Sequence, residues 1–197
     1  MKRILFVSIL LLLLSACVNL SVTHTPQSFQ WKPPSQRAAE LSKITAWRKV
    51  GAFSITLSDH TRQIAHFDWE NTAKTYRLVI SSALNLYHLT ITKTPHGKIT
   101  LLKNGRFLAS ANSAEQLMQQ AIGWSLPVSP LKAWILGTPA SGGVYHASYD
   151  VYGHILTLTQ FGWKITYSDY KTGNNDVDFP QRIILKRSGV MVKIVIK

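Results

Sequence analysis

From Val50 onward apolar and polar residues alternate with a period of two: Phe53, Ile55 and Leu57 interleave with Ser54, Thr56 and Ser58, and Phe67 and Trp69 with His66, Asp68 and Glu70. Successive side chains of a strand point to opposite faces, so this spacing predicts strands buried on one side and wet on the other. Tyr76-Leu78-Ile80, Leu89-Ile91 and Ile99-Leu101 continue the pattern, and Pro95-His96-Gly97 and Asn104-Gly105 supply tight turns joining neighbours as antiparallel hairpins. Strands are expected again near Tyr145 and over 155–160, 163–167, 182–185 and 190–196, about eleven in all by the alternation rule.

Three stretches change to helical spacing. Ser35 is the expected cap of a helix reaching Trp47, with Ala38, Leu41, Ile44 and Ala46 as its apolar stripe. Ser113 followed three residues later by Gln116 is a capping-box start. Ser129-Pro130 ahead of 131–136 and Gly137 places cap, first-turn proline and terminal glycine in order. So many short antiparallel strands must close, or nearly close, to avoid long open edges, which predicts a mainly β, barrel-like sheet plugged by helices. Its inward positions are aliphatic or aromatic, a pattern that fits a ligand cavity and a filled core equally.

The N-terminus adds a location. Met1-Lys2-Arg3, an apolar run from Ile4 to Leu14, and Leu14-Ser15-Ala16-Cys17 make an export signal over residues 1–16, too short to span a bilayer comfortably. Cys17 is the only cysteine, so no intramolecular disulfide is possible, and the sequence leading into it resembles a bacterial lipobox whose thiol is diacylated. Residues 17–34, with Pro26, Pro33 and Pro34 among polar residues, read as a lipidated N-terminus and flexible tether, and 35–197 as one domain. Losing Lys2 and Arg3 lowers the formal charge from +13 to +11. Such a surface attracts polyanions or anionic headgroups; in an exported, tethered protein without zinc, helix-turn-helix or RNA-motif patterns, no nucleic-acid partner is expected.

Catalytic patterns are missing. Gly123-Trp124-Ser125-Leu126-Pro127 fails the nucleophile-elbow pattern at its last glycine, and none of the seven histidines pairs at a helical metal-ligand spacing. The histidines are expected on the surface or on strands. Asp176 and Asp178 beside Gly173-Asn174-Asn175 are explained by turn bonding, and Gly142-Gly143 by a loop hinge. No enzyme activity, cofactor or metal is expected. One connection is unusual: Ser81-Ser82-Ala83-Leu84-Asn85-Leu86-Tyr87 puts Leu84 where the chain must reverse, although loop tips are ordinarily polar, and on the residues alone it reads as a leucine folded back onto the barrel rim.

Over essentially the whole mature domain the chain resembles the LolB family of outer-membrane lipoproteins. The resemblance is carried by the lipobox ending at Cys17, Gly51, Phe67-Asp68-Trp69, Ala83-Leu84-Asn85, Ala114-Glu115-Gln116-Leu117-Met118, and above all by Gly123-Trp124-Ser125-Leu126-Pro127-Val128 with Leu131-Lys132-Ala133-Trp134-Ile135-Leu136-Gly137-Thr138-Pro139. Pro180-Gln181-Arg182-Ile183 and the closing Val192-Lys193-Ile194-Val195-Ile196 match more loosely. Asn85 stands where the family has a glycine, and Ala52 where an arginine is common.

This resemblance implies an incompletely closed antiparallel barrel of the LolA/LolB type, with a helical lid over an apolar cavity. It also implies a receptor that takes lipoproteins from the periplasmic carrier LolA by their acyl chains and inserts them into outer-membrane phospholipid without nucleotide hydrolysis. Leu84 matches the family's protruding, membrane-inserting leucine. Phe53, Ile55, Phe67, Trp69, Leu78, Ile80, Leu89, Ile91, Leu101, Trp134, Ile135, Trp163 and Ile165 are the expected acyl-chain cavity. Val18 is not the aspartate that retains many lipoproteins in the inner membrane, so residence on the periplasmic face of the outer membrane, as a monomer, is expected. A lipid-binding lipoprotein without transfer activity and a structural accessory of an envelope assembly are the alternatives.

Overall fold

The computed structural model describes residues 28–82, 84, 86–173 and 176–197. Helix α1 (Pro34–Ser42) precedes β1 (Trp47–Thr56), β2 (Arg62–Asn71), β3 (Tyr76–Ser82), β4 (His88–Lys93), β5 (Ile99–Lys103) and β6 (Arg106–Ala111). Helices α2 (Ala114–Ile122) and α3 (Val128–Trp134) follow, then β7 (Tyr145–Tyr149), β8 (Ile155–Gln160), β9 (Trp163–Thr172), β10 (Asp178–Arg187) and β11 (Val190–Ile196). All eleven strands form one antiparallel sheet in the order β6-β5-β4-β3-β2-β1-β11-β10-β9-β8-β7. Two meanders are thus joined where β1 pairs with β11, and the outer strands β6 and β7 do not pair: the sheet is mainly β, antiparallel and not closed, as expected.

Register turns the period-two pattern into rows. Trp69, Leu78, Ile91 and Leu101 stand opposite one another across β2 to β5. Leu158, Ile165, Leu185, Val192 and Ile55 do the same from β8 round to β1. A one-residue slip would turn each row to water, so the apolar face fixes the pairing. Gly51 is required in β1: a Cβ there would lie 2.1 Å from the Val195 carbonyl oxygen and 2.9 Å from the Phe67 ring.

The chain between the two outer strands carries α2 and α3 across the apolar face. Leu117, Met118, Trp124, Leu126, Val128, Leu131, Trp134 and Ile135 are buried in the same core as the sheet rows. Ser113 caps α2, its Oγ accepting from the Gln116 amide at 3.3 Å, and Gly123 ends it at φ +77°. Ser129 is not the cap of α3. The helix starts earlier, after Pro127, and the Ser129 amide donates instead to Glu115 Oε1 at 3.0 Å, so a carboxylate from α2 receives an otherwise unpaired first-turn donor.

The first helix is also shorter than its stripe implied. It runs from Pro34, with no side-chain cap from Ser35, and stops at Ser42; Trp47 belongs to β1 and packs edge-on to Trp69 at 5.2 Å. Pro34 supplies the preset first turn, and the β-branched pair Ile44-Thr45 favours leaving the helix. Part of the expected tether is docked on the domain. Phe29 packs against Tyr152 and His154, and Lys32 donates its amide to the Tyr152 carbonyl at 3.3 Å.

The antiparallel order sorts the connections into two ends. Turns 57–61, 83–87, 104–105, 161–162 and 188–189 lie at one, here the tip. Turns 72–75, 94–98, 150–154 and 173–177 lie at the other, the base, together with residues 29–37.

Candidate functional site: an apolar face, its plug and a protruding loop

All thirteen candidate cavity residues are buried in one cluster. They come from both meanders and from the plug, so segments remote in sequence build a single apolar interior. Trp69, Leu78 and Phe67 are on β2 and β3, Phe53 and Ile55 on β1, Ile165 and Trp163 on β9, and Trp134 and Ile135 end α3.

A separate pocket of about 220 Å³ lies toward the base, lined in part by Leu41, Pro139, Ile155 and Tyr170, but where the plug meets Phe53, Phe67, Trp69 and Leu78 the interior is filled. A gap of about 10 Å³ remains, lined by Phe53, Phe67, Trp69, Leu78, Leu126, Leu131, Ile135 and Ile194. That holds less than a water molecule and far less than the roughly 150 Å³ that accommodates one benzene. Helices α2 and α3 occupy the space that the sequence pattern left open to a ligand. At the tip a shallow depression of about 270 Å³ is lined in part by Ile55, Leu57, Trp124, Trp163 and Val190.

Two glutamines of the sheet hold two tryptophans of the plug. Trp124 Nε1 donates to Gln63 Oε1 on β2 at 2.8 Å. Trp134 Nε1 donates to Gln160 Oε1 on β8 at 2.8 Å, and Gln160 also bonds the Ala140 amide and carbonyl at 2.9 and 2.7 Å. The plug is therefore pinned to both meanders by neutral hydrogen bonds, each worth about 1 kcal/mol net. Trp69 Nε1 and the Tyr167 hydroxyl are buried without a hydrogen-bond partner among the described residues. Burial holds the Tyr167 hydroxyl well above the ordinary tyrosine range.

Leu84 stands 79% exposed at the β3–β4 reversal, and Leu86 beside it is 74% exposed. The foot of this loop is fixed: Ser82 Oγ accepts from the amides of Leu86 and Tyr87 at 2.7 and 3.2 Å, and the Ser82 amide donates to the Tyr87 carbonyl. Asn85 and Cys17 lie outside the described residues. Leu86 went unnoticed in the sequence, although an apolar residue two positions after Leu84 was its visible signal.

The base holds a buried charged cluster that sequence reading missed. Arg37 Nη1 donates to Asp178 Oδ2 at 2.6 Å, Nε to the Tyr152 carbonyl at 2.8 Å and Nη2 to the Gln30 carbonyl at 2.6 Å. Thr172 Oγ1 donates to Asp178 Oδ1 at 2.7 Å. His154 is buried, not exposed, with ring nitrogens 2.8 Å from Asp150 Oδ2 and 2.9 Å from Asp178 Oδ2, and it stacks on Tyr170 at 4.3 Å. Asp178 is thus no turn residue: it opens β10, buried. Burial by itself would raise its pKa, but the bonds from His154, Thr172 and Arg37 together hold the carboxyl below the ordinary aspartate value. Asp150 is held low in the same way, the His154 and Tyr152 bonds outweighing burial. No signal short of the fold links Arg37 to a partner 141 positions away.

Residues 45–197 match the family model described as outer membrane lipoprotein LolB. The chain is 40% identical over 187 residues to the outer-membrane lipoprotein LolB of Coxiella burnetii (strain RSA 493 / Nine Mile phase I), covering 94% of this chain and 87% of that one. To the LolB protein of Chromobacterium violaceum it is 32% identical, covering 100% and 97%. Its fold superposes on the crystal structure of a LolA superfamily protein from Nitrosomonas europaea with a TM-score of 0.52 at 10% identity, over 84% of this chain and 92% of that one. The chain belongs to the LolB family of outer-membrane lipoproteins.

Proposed function

We propose that this protein is the receptor at the end of a lipoprotein delivery route, taking lipoproteins from the carrier LolA by their acyl chains and releasing them into the inner leaflet of the outer membrane. Its family membership carries the proposal, and the plugged apolar face supports it. Residues 1–16 act as the signal, Cys17 carries the lipid anchor, residues 17–34 include the tether, and the domain from residue 35 works on the periplasmic face as a monomer without catalysis.

An acyl chain of some fourteen methylenes costs on the order of 11 kcal/mol to expose to water at about 0.8 kcal/mol per methylene. Passing it between apolar interiors avoids that cost, and no nucleotide is needed if each successive site holds the chain more favourably than the last. Because the interior is filled, acceptance requires α2 and α3 to move off the sheet, releasing the thirteen buried residues to line the chains. The bonds to Gln63 and Gln160 are the neutral contacts such a movement breaks. The unpartnered Trp69 and Tyr167 donors would then find acceptors in the ester carbonyls of the incoming diacyl group.

The test is transfer of a radiolabelled lipoprotein from loaded carrier to this protein and then to liposomes. Stoichiometric acceptance followed by release is expected; a protein that never takes the cargo from the carrier would end the receptor reading. The filled interior favours one alternative, a structural accessory with a permanently packed barrel, which would bind no apolar probe and capture a partner protein stably instead.

A further inference from the structure

The tip carries more than one apolar projection, and the projections are tied together. The β5–β6 turn lies beside the foot of the Leu84 loop: the His88 amide donates to Asn104 Oδ1 at 2.8 Å, and the Asn104 amide returns a bond to the His88 carbonyl at 2.8 Å. Just past that turn Phe107 is 66% exposed and Leu108 is also exposed. Their position follows from a bulge. Leu101 pairs with Ala109 but Leu102 with Phe107, so Leu108 is the extra residue and Phe107 shares a face with Leu102 rather than with inward Ala109. Bulges re-aim side chains in this way.

Charge marks the same end. Arg62, Lys103, Arg106, Lys164, Lys186 and Arg187 sit in or beside the tip turns, where Asp59 is the one carboxylate. None of the six cations takes part in an ion pair among the described residues.

We infer that the β5–β6 turn is a second membrane contact, Phe107 entering the interfacial region of an anionic phospholipid leaflet alongside Leu84 and Leu86 while Arg106 and Lys103 meet its headgroups. The inference rests on the receptor reading for its purpose, but the contact itself needs no cargo. Two apolar projections fixed to each other by paired hydrogen bonds define a docking plane, where a single leucine would leave the domain free to swivel. The basic rim supplies attraction to headgroups, and Phe107 and the leucines supply apolar area to bury.

The experiment uses the mature chain from residue 17 with Cys17→Ser, so that no acyl anchor contributes, and cargo-free vesicles of phosphatidylethanolamine and phosphatidylglycerol. Binding by flotation is expected, weakened by salt and by replacing phosphatidylglycerol with phosphatidylcholine. Phe107→Ser with Arg106→Gln should reduce it about tenfold or more with unchanged thermal unfolding. With Cys17 replaced the chain has no cysteine, so nitroxide labels at Leu84→Cys, Phe107→Cys and, as a base-end control, Lys98→Cys report immersion position by position. Labels at 84 and 107 are expected in lipid, and the label at 98 in water. An aqueous label at 107 beside an immersed one at 84 overturns the inference, as does equal binding to neutral vesicles. A double variant that binds vesicles normally but fails to take cargo from the carrier makes the turn a protein-docking face and overturns it too. A chain that docks with both labels immersed yet never accepts cargo keeps the second contact and removes the receptor reading.

Discussion

The tip and the base of the sheet handle charge in opposite ways. At the base Arg37, His154 and Asp178 are buried and, with half-buried Asp150, are bonded to one another, fastening the N-terminal segment to β10. At the tip, the end that also exposes Leu84, Leu86 and Phe107, six cations sit in or beside the turns of both meanders. The base encloses an ion-pair cluster, with Lys74, Lys98 and Lys171 exposed around it; the tip has no such cluster among the described residues, and its six cations form no ion pair there. If the tip is the proposed docking end, substitutions at the two ends should separate stability from membrane binding.

Removing the base's central charge should have the largest effect. Asp178→Asn leaves the buried Arg37 guanidinium without its counter-ion and is expected to cost about 3 kcal/mol in urea unfolding, with vesicle binding of the folded protein unchanged. Leu84→Glu makes the reverse case: unfolding should stay within about 0.5 kcal/mol of the parent because the side chain is exposed, while delivery from protein to liposomes falls about tenfold or more and acceptance from the carrier persists. Normal delivery by that variant would remove the loop from the mechanism.

Acid should weaken the base, where the depressed carboxyls are bonded to buried partners. Asp178 and Asp150 have depressed values in the fold, so their contribution is present above the ordinary aspartate range and is lost as pH falls through their lowered values. Unfolding followed against pH should show this loss in the parent and a weaker one in Asp178→Asn. The smallest effect is expected from Lys32→Met: its bridge to Glu40 is part-exposed, worth below about 1 kcal/mol. A loss as large as that of Asp178→Asn would mean the fastening does not centre on Asp178.

The strands were legible because a period of two with one wet face admits few alternatives, and Phe53-Ile55 and Phe67-Trp69 sit where that alternation places them, facing inward. Leu84 was legible as an apolar residue at a reversal. What filled the interior was not: Trp124 read as part of a failed elbow pattern and Trp134 as an apolar position of a short helix, and nothing local says that their ring nitrogens meet Gln63 and Gln160 across the sheet. The same holds for His154 and Asp178, whose turn-like neighbours conceal a long-range partner in Arg37. Helix ends failed where a cap came from elsewhere, Glu115 for α3, or from backbone geometry, Pro33-Pro34 for α1.

The docking of Phe29 at the base has a geometric consequence. The chain enters the domain at the end remote from Leu84, while a ten-residue strand such as β1 measures about 33 Å. Residues 17–27 are eleven in number and reach at most about 40 Å when drawn out straight. An anchor at Cys17 would therefore let Leu84 meet the same leaflet with little length to spare, a leash cut nearly to the size of the body it restrains.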